Sequence, residues 1–426
     1  MTYEAMSQEE LRREQAFLTS EIERYRAKKL KLNMARGVPC PEQLDLSVAI
    51  SGAIQDKEDY YTEDGIDCRT YVASLFKGVP ELRRFFAQVF GIPEAYIIIG
   101  GNSSLNMIYD SIARMMLFGL PGGDGPWFGK NVKFICPAPG YDRHFKILDS
   151  FGIQLITVEM RSDGPDMDAV EQLVQDPEVR GLICVPKFSN PTGVVFSPET
   201  VRRLAAMETA APDFRIIWDN AYALHYVYED VPLADVFSLC REYGHEDRVL
   251  YFSSTSKITF PGAGVAFMAM NPVNMDWMMP ALQTQTIGPD KINQLRHMKF
   301  FRTPEAIYAH MARHAEIMRR RFDVVNRVFS AGLTPYGIGD WGDPKGGYFF
   351  SLNLPDGCAS ATYRLCAELG VNLTPSGATY PHGVDPRDRN LRIAPTFPEV
   401  HELQEAMEVL CVCARLVYVK KLLGEA

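Results

Sequence analysis

Four segments of the 426-residue chain place side chains able to do chemistry just past apolar runs. The run 181–187 leads into Ser189-Asn190-Pro191-Thr192-Gly193, the run 214–218 into Asp219-Asn220-Ala221-Tyr222, and the run 248–253 into Ser254-Thr255-Ser256-Lys257. Far downstream stands Asn390-Leu391-Arg392-Ile393-Ala394. Taken singly these signals are weak, because Asn-Pro-Thr-Gly is ordinary turn chemistry and a lone lysine is usually solvated. Their order and position carry the information, since open α/β sheets hold ligands beyond the carboxyl ends of their strands. A lysine in such a loop, near a strand-end carboxylate and several hydroxyls, suits a Schiff base to an aldehyde cofactor whose ring nitrogen needs an anionic partner.

Other motifs fail on inspection. Residues 125–130 resemble a phosphate loop, but Asp124 stands where the first glycine is required and Asn131 replaces the Ser or Thr. Residues 262–267 lack the third glycine of a dinucleotide fingerprint and precede a predicted strand instead of opening a helix. His310 and His314 are four apart without the glutamate of a zinc motif, and read as surface or core histidines. Nine scattered cysteines, with Cys411 and Cys413 the only close pair, give neither a disulfide framework nor a CxxC site.

The elements that must position these residues follow from pattern and composition. With 46% hydrophobic and 23% charged side chains the chain is globular, and its length suits two or three domains. Forty-four basic against 53 acidic residues, a net charge of −9, exclude broad attraction to nucleic acid or anionic membrane. Small molecules or other proteins are the expected partners. The N-terminus lacks a signal-peptide layout and no apolar run is long enough to span a bilayer, so a cytoplasmic location is expected.

Seven apolar runs (96–99, 132–136, 153–158, 181–186, 214–218, 248–252 and 264–270) alternate with helical stretches. They predict an α/β fold, with a mostly parallel seven-stranded sheet between helices. A helix over 7–32 opens on a Ser7/Glu10 capping box, a helix over 199–207 on Ser197-Pro198, and a helix over 105–117 on Gly100-Gly101-Asn102-Ser103-Ser104. Beyond about Arg302 come a long helix (305–330), a glycine-rich stretch (341–350), a short αβ segment and a final helix from Glu399. The expected division is 1–60 as N-terminal arm and part of a small domain, 61–302 as the large cofactor-binding domain, and 303–426 as the C-terminal small α+β domain.

From the Arg36-Gly37 loop to the Arg392 segment, the ordered motifs resemble those of fold-type I pyridoxal 5′-phosphate (PLP) enzymes of the class I aminotransferase family, and most of all a divergent bacterial aspartate aminotransferase. The resemblance implies that Lys257 holds PLP as a Schiff base and later moves a proton between the substrate Cα and the cofactor. It implies that Asp219 keeps the pyridine nitrogen protonated, that Asn190 and Tyr222 hydrogen-bond the ring oxygen, and that Tyr141 stacks on the ring. Arg392 would grip the substrate α-carboxylate in a two-pronged contact. The phosphate would lie against Asn102, Ser103 and Ser104 at a helix N-terminus, with Ser254 and Ser256 from the lysine loop. Tyr71 would reach that phosphate from a neighbouring subunit, so a homodimer with shared sites is implied, against the plain alternative that Tyr71 packs in the core.

Two departures from the family pattern stand out. Gly264 occupies the place of a phosphate-binding arginine, with Lys187 a weak substitute, and no single arginine marks a side-chain carboxylate pocket. Arg36, beside Gly37 in the loop that in the resembled family folds over the substrate, and Lys291 and Arg296, in the stretch from which that family draws a side-chain ligand of the partner subunit, are the candidates for that second cation. The implied reaction is ping-pong transfer of the amino group from L-aspartate to 2-oxoglutarate, giving oxaloacetate and L-glutamate. An aromatic or alanine aminotransferase, or a carbon–sulfur β-lyase, shares the same cofactor residues. A non-enzymatic PLP-sensing regulator would need a DNA-binding module, whereas the residues before Arg36 read as one acidic-basic helix.

Overall fold

The computed structural model describes residues 2–425. Its large sheet contains β1 (Ile97–Ile99), β2 (Lys133–Ala138), β3 (Gln154–Arg161), β4 (Gly164–Pro165), β5 (Val179–Cys184), β6 (Arg215–Asp219), β7 (Val249–Ser254) and β8 (Ala266–Ala269). Their spatial order is β1-β8-β7-β6-β5-β2-β3-β4. The pairs β2/β3, β2/β5, β5/β6 and β6/β7 are parallel, while β8 opposes both β7 and β1. Strand β1 therefore runs in the same direction as β7, and the carboxyl ends of β1, β2, β5, β6 and β7 share one edge.

The sheet has eight strands where the apolar runs predict seven. The additional one, β4, is a two-residue Gly-Pro segment folded back on Met160 and Arg161 of β3, too short to leave a hydrophobic pattern. The central strands are apolar throughout because both faces are covered. Leu182, Ile216 and Val249 face one layer with Phe86, Val201 and Leu204; their neighbours Ile183, Ile217 and Leu250 face the other, with Ile108, Ile112 and Leu148. Each such side chain contributes about 1.5–3 kcal/mol by leaving water, so truncating Leu250 to Ala would cost about 2–5 kcal/mol.

A separate core joins both ends of the chain. Helix Gln8–Lys28 packs with Pro304–Gly332 and Val400–Leu422 around β9 (Phe350–Asn353) and β10 (Asn390–Ile393), and Leu32–Asn33 pairs with Val371–Asn372. The Ser7/Glu10 capping box forms, but the first helix stops at Lys28, four residues short of expectation, because Lys29 turns into the left-handed region at φ 53°. No helix among the described residues is long and apolar enough to cross a membrane.

Candidate active site

A cleft of roughly 720 Å³ opens where the carboxyl edge of the large sheet meets the small-domain core. Strand endings deliver its inner wall: Asp219 is the last residue of β6, Lys257 follows β7, Asn190 follows β5, and Tyr141 follows β2. Tyr222, three residues beyond Asp219, completes this wall.

Asp219 is 3% exposed. Its Oδ2 accepts a hydrogen bond from His144 Nε2 at 2.9 Å, while Oδ1 is buried with no partner. An unpartnered buried carboxylate oxygen is costly. A protonated ring nitrogen is the group that satisfies it, so the residues present fit a pyridinium cofactor. Burial lowers the Lys257 amine below its ordinary value, against the opposing pull of Asp219, which favours the neutral nucleophilic form. The amine lies 5.1 Å from the Tyr222 ring centroid. Burial also raises the Tyr222 phenol well above its ordinary value and the Tyr141 phenol to about 12, so both remain hydrogen-bond donors.

Behind the lysine, a buried polar network fixes its backbone. The Lys257 carbonyl accepts from His225 Nε2 at 3.3 Å and from the Tyr348 hydroxyl at 3.4 Å, and Gln43 Nε2 donates to that hydroxyl at 3.0 Å. His297 braces the same loop: its ring nitrogens meet the Asn293 carbonyl at 2.9 Å and the hydroxyls of Thr255 and Thr259 at 3.1 and 3.0 Å. Burial pushes His297 down to about 4. His310 and His314 prove to be core histidines, bonded to each other at 3.0 Å.

The phosphate-side candidates divide. Ser103, Ser104, Ser254 and Ser256 line the cleft. Ser103 caps helix Ser104–Phe118 by accepting from the Asn106 N–H, and the other N–H groups of that first turn remain available to an anion. Asn102 does not line the cleft: its amide donates to the carbonyls of Pro261 and Gly262 at 3.4 and 3.3 Å and so ties the helix start to the lysine loop. Nor does Lys187, whose Nζ is held by Asp230 at 2.6 Å. At Gly264 a side chain would be crowded, since a Cβ would lie 3.1 Å from both the Phe260 carbonyl oxygen and Thr255 Oγ1, and those neighbours would have to give by a few tenths of an ångström.

On the substrate side, Arg392 projects from β10. Its Nη1 donates to Asp142 Oδ1 at 2.9 Å and to Asn190 Oδ1 at 3.4 Å, and its Nε to Thr374 Oγ1 at 3.2 Å. Its guanidinium lies 5.1 Å from the Phe349 ring centroid. The backbone of Gly37 packs against the same ring, where a Cβ would fall 2.3 Å from it. Arg36 lines the mouth. Lys291 and Arg296 do not line this chain's own cleft, the Lys291 amine donating to the Pro289 carbonyl at 3.4 Å. Tyr71 also lies away from it and is 86% exposed, which removes the core-packing alternative.

Sequence reasoning missed the first turn of helix Asp142–Ser150. Asp142, Arg143 and Lys146 line the cleft and His144 holds Asp219. The available signal was Asp-Arg-His following the Pro139-Gly140-Tyr141 strand exit. The cleft presents Arg36, Arg143, Lys146 and Arg392 against Asp142 and Asp219, a positive balance in a chain of net charge −9, which draws in anions.

A doubly covered α/β sheet with a strand-end lysine and carboxylate facing a small-domain arginine defines a fold-type I PLP-dependent aminotransferase. The chain belongs to the aspartate amino-transferase family, whose model matches residues 6–426. It is 42% identical over 393 residues to the aspartate aminotransferase of Corynebacterium glutamicum, covering 92% of this chain and 90% of that one. A crystal structure of an aspartate transaminase from the same organism superposes with a TM-score of 0.96 at 39% identity, covering 99% of both chains. The α-aminoadipate aminotransferase of Thermus thermophilus, solved with N-(5′-phosphopyridoxyl)-L-leucine, shares the fold at a TM-score of 0.72 and 23% identity over 95% of each chain.

Proposed function

We propose that this aminotransferase moves the amino group of L-aspartate to 2-oxoglutarate, with PLP held by Lys257 and Asp219. The observation that carries the reading is the pairing of a desolvated Lys257 amine with the orphaned Asp219 Oδ1 in a cleft rich in cations. PLP, when bound, supplies an electrophilic carbonyl carbon and an electron-withdrawing ring.

This chain's residues do the rest. Asp219, oriented by His144, keeps the ring nitrogen protonated. Asn190 and Tyr222 hydrogen-bond the ring oxygen, and Tyr141 covers one ring face. Ser103, Ser104, Ser254 and Ser256, with the N-terminal N–H groups of helix Ser104–Phe118, hold the phosphate without the arginine absent at Gly264. Arg392 binds the α-carboxylate and Lys257 moves the proton from the substrate Cα. The second carboxylate of aspartate meets the cations at the mouth, Arg36 and Arg143. In a homodimer, the exposed Tyr71 reaches the partner's phosphate and Arg296 is the remaining candidate cation toward the partner's cleft, since Lys291 is buried and bonded to its own Pro289 carbonyl.

The test is a donor screen of the purified holoenzyme with 2-oxoglutarate as acceptor. Aspartate is expected to exceed alanine and phenylalanine in kcat/KM by at least about tenfold, the discrimination that two ion pairs to the second carboxylate provide together. Equal or better turnover of alanine or phenylalanine would replace the dicarboxylate reading with one of the other aminotransferase specificities. Sedimentation of the same sample tests the dimer.

A further inference from the structure

Arg392 is not a free receptor for a carboxylate. Its side chain is 9% exposed, and Asp142 Oδ1, on a side chain 15% exposed, accepts from its Nη1 at 2.9 Å. The same aspartate faces a second cation one helical turn along, with Lys146 Nζ 3.4 Å from Oδ2. That lysine side chain is 68% exposed and projects toward solvent. An incoming α-carboxylate meets one largely buried guanidinium that already holds a carboxylate. Two anions on one desolvated cation repel strongly. Thr374 and Asn190 are neutral and can stay, the former also donating to the Ala35 carbonyl at 3.0 Å.

We propose that Asp142 is a resident counterion that hands Arg392 over to the substrate by moving its charge to Lys146. The inference rests on the reading that Arg392 binds the α-carboxylate. Asp142 holds the guanidinium in line with Asn190 and Thr374 and sets a threshold that small anions fail to meet. An amino acid, which also contacts the cofactor, meets it. Lys146 lowers the threshold by giving the displaced carboxylate an exposed partner at i,i+4 spacing. Asp142 is thus a positioning residue; it does not touch the reacting bonds.

The experiment compares wild type, D142N, K146M and the double variant as PLP-loaded enzyme. It reads KM and kcat for aspartate and the inhibition constant of propionate, a carboxylate without an amino group. Asp142→Asn is expected to lower both the aspartate KM and the propionate constant by about three- to tenfold, the range of a partly screened charge pair, with the change in KM rather than kcat. Lys146→Met is expected to raise both constants at least about twofold when Asp142 is present and to change neither in the D142N background, a non-additivity that distinguishes handover from general field effects. Equal effects of K146M in both backgrounds overturn the proposal. So does a D142N enzyme that loses kcat and thermal stability together, which marks a structural role. An Arg392→Lys variant with unchanged KM overturns the parent reading instead, and the handover with it.

Discussion

The cofactor end of the cleft stands on termini of the large sheet, whereas the substrate end draws on a loop, a helix start and one small-domain strand, β10. Asp219 is the last residue of β6, 3% exposed and held by a buried His144; Lys257 is gripped through its own carbonyl and through the His297 brace on Thr255 and Thr259. By contrast, Arg36, Arg143 and Lys146 are exposed side chains at the mouth, and Arg392 shares its charge with Asp142. Chemistry that must be the same for every substrate sits on the rigid sheet edge. Recognition that varies between substrates sits on side chains that can move at little cost.

Breaking the cofactor end should give the largest effects. Lys257→Ala removes both the covalent anchor and the proton carrier, and transamination is expected to fall by at least about four orders of magnitude, with loss of the protein-bound chromophore in the visible spectrum. Asp219→Ala leaves the ring nitrogen without its counter-charge, with an expected loss in kcat of about 10²–10⁴-fold, whereas His144→Asn, which only loosens the carboxylate, should cost about tenfold. Comparable losses for the two would mean that His144 does more than orient.

At the substrate end the damage should appear in KM. Replacing Arg392 by Lys exchanges a planar fork for a point charge, and KM for every amino donor is expected to rise about 10–100-fold while the absorbance of bound PLP is retained. Arg36→Ala and Arg143→Ala should raise KM for aspartate about tenfold and leave alanine turnover within about twofold. If both donors suffer equally, the mouth cations act on net charge rather than on the second carboxylate.

The smallest effect sharpens the contrast in rigidity. His297 is depressed by burial to about 4 from an ordinary 6.5, so between those values the unfolded chain binds a proton that the folded chain refuses. Its contribution to stability is fully present above about pH 6.5 and is lost as pH falls toward 4. Thermal melting of His297→Gln should therefore decline less steeply than that of wild type between pH 6.5 and 4.5. A parallel decline would indicate that the imidazole is not held neutral.

Part of the cofactor end was readable because polar residues follow apolar runs: the sheet exit marks Asn190, Asp219, Ser254 and Lys257 in the sequence itself. Asn102 and Lys187 were misread because side-chain direction is not encoded by position; one turns to the lysine loop and the other to Asp230. His144 escaped notice because its partner lies 75 residues away, joined only when β2 and β6 deliver their exits to one edge.

Apolar patterning by itself determined the doubly covered sheet and where its polar strand exits fall, since burial on both faces forces continuous hydrophobic runs and leaves polar residues only at their ends. Tertiary structure alone decided which cations face the cleft and which carboxylate occupies Arg392. Those pairings join residues as far apart as Asp142 and Arg392, 250 positions along the chain, and their geometry depends on how the small domain packs against the sheet edge. Electrostatic contacts of that kind are set by distance and desolvation, which a linear pattern does not carry.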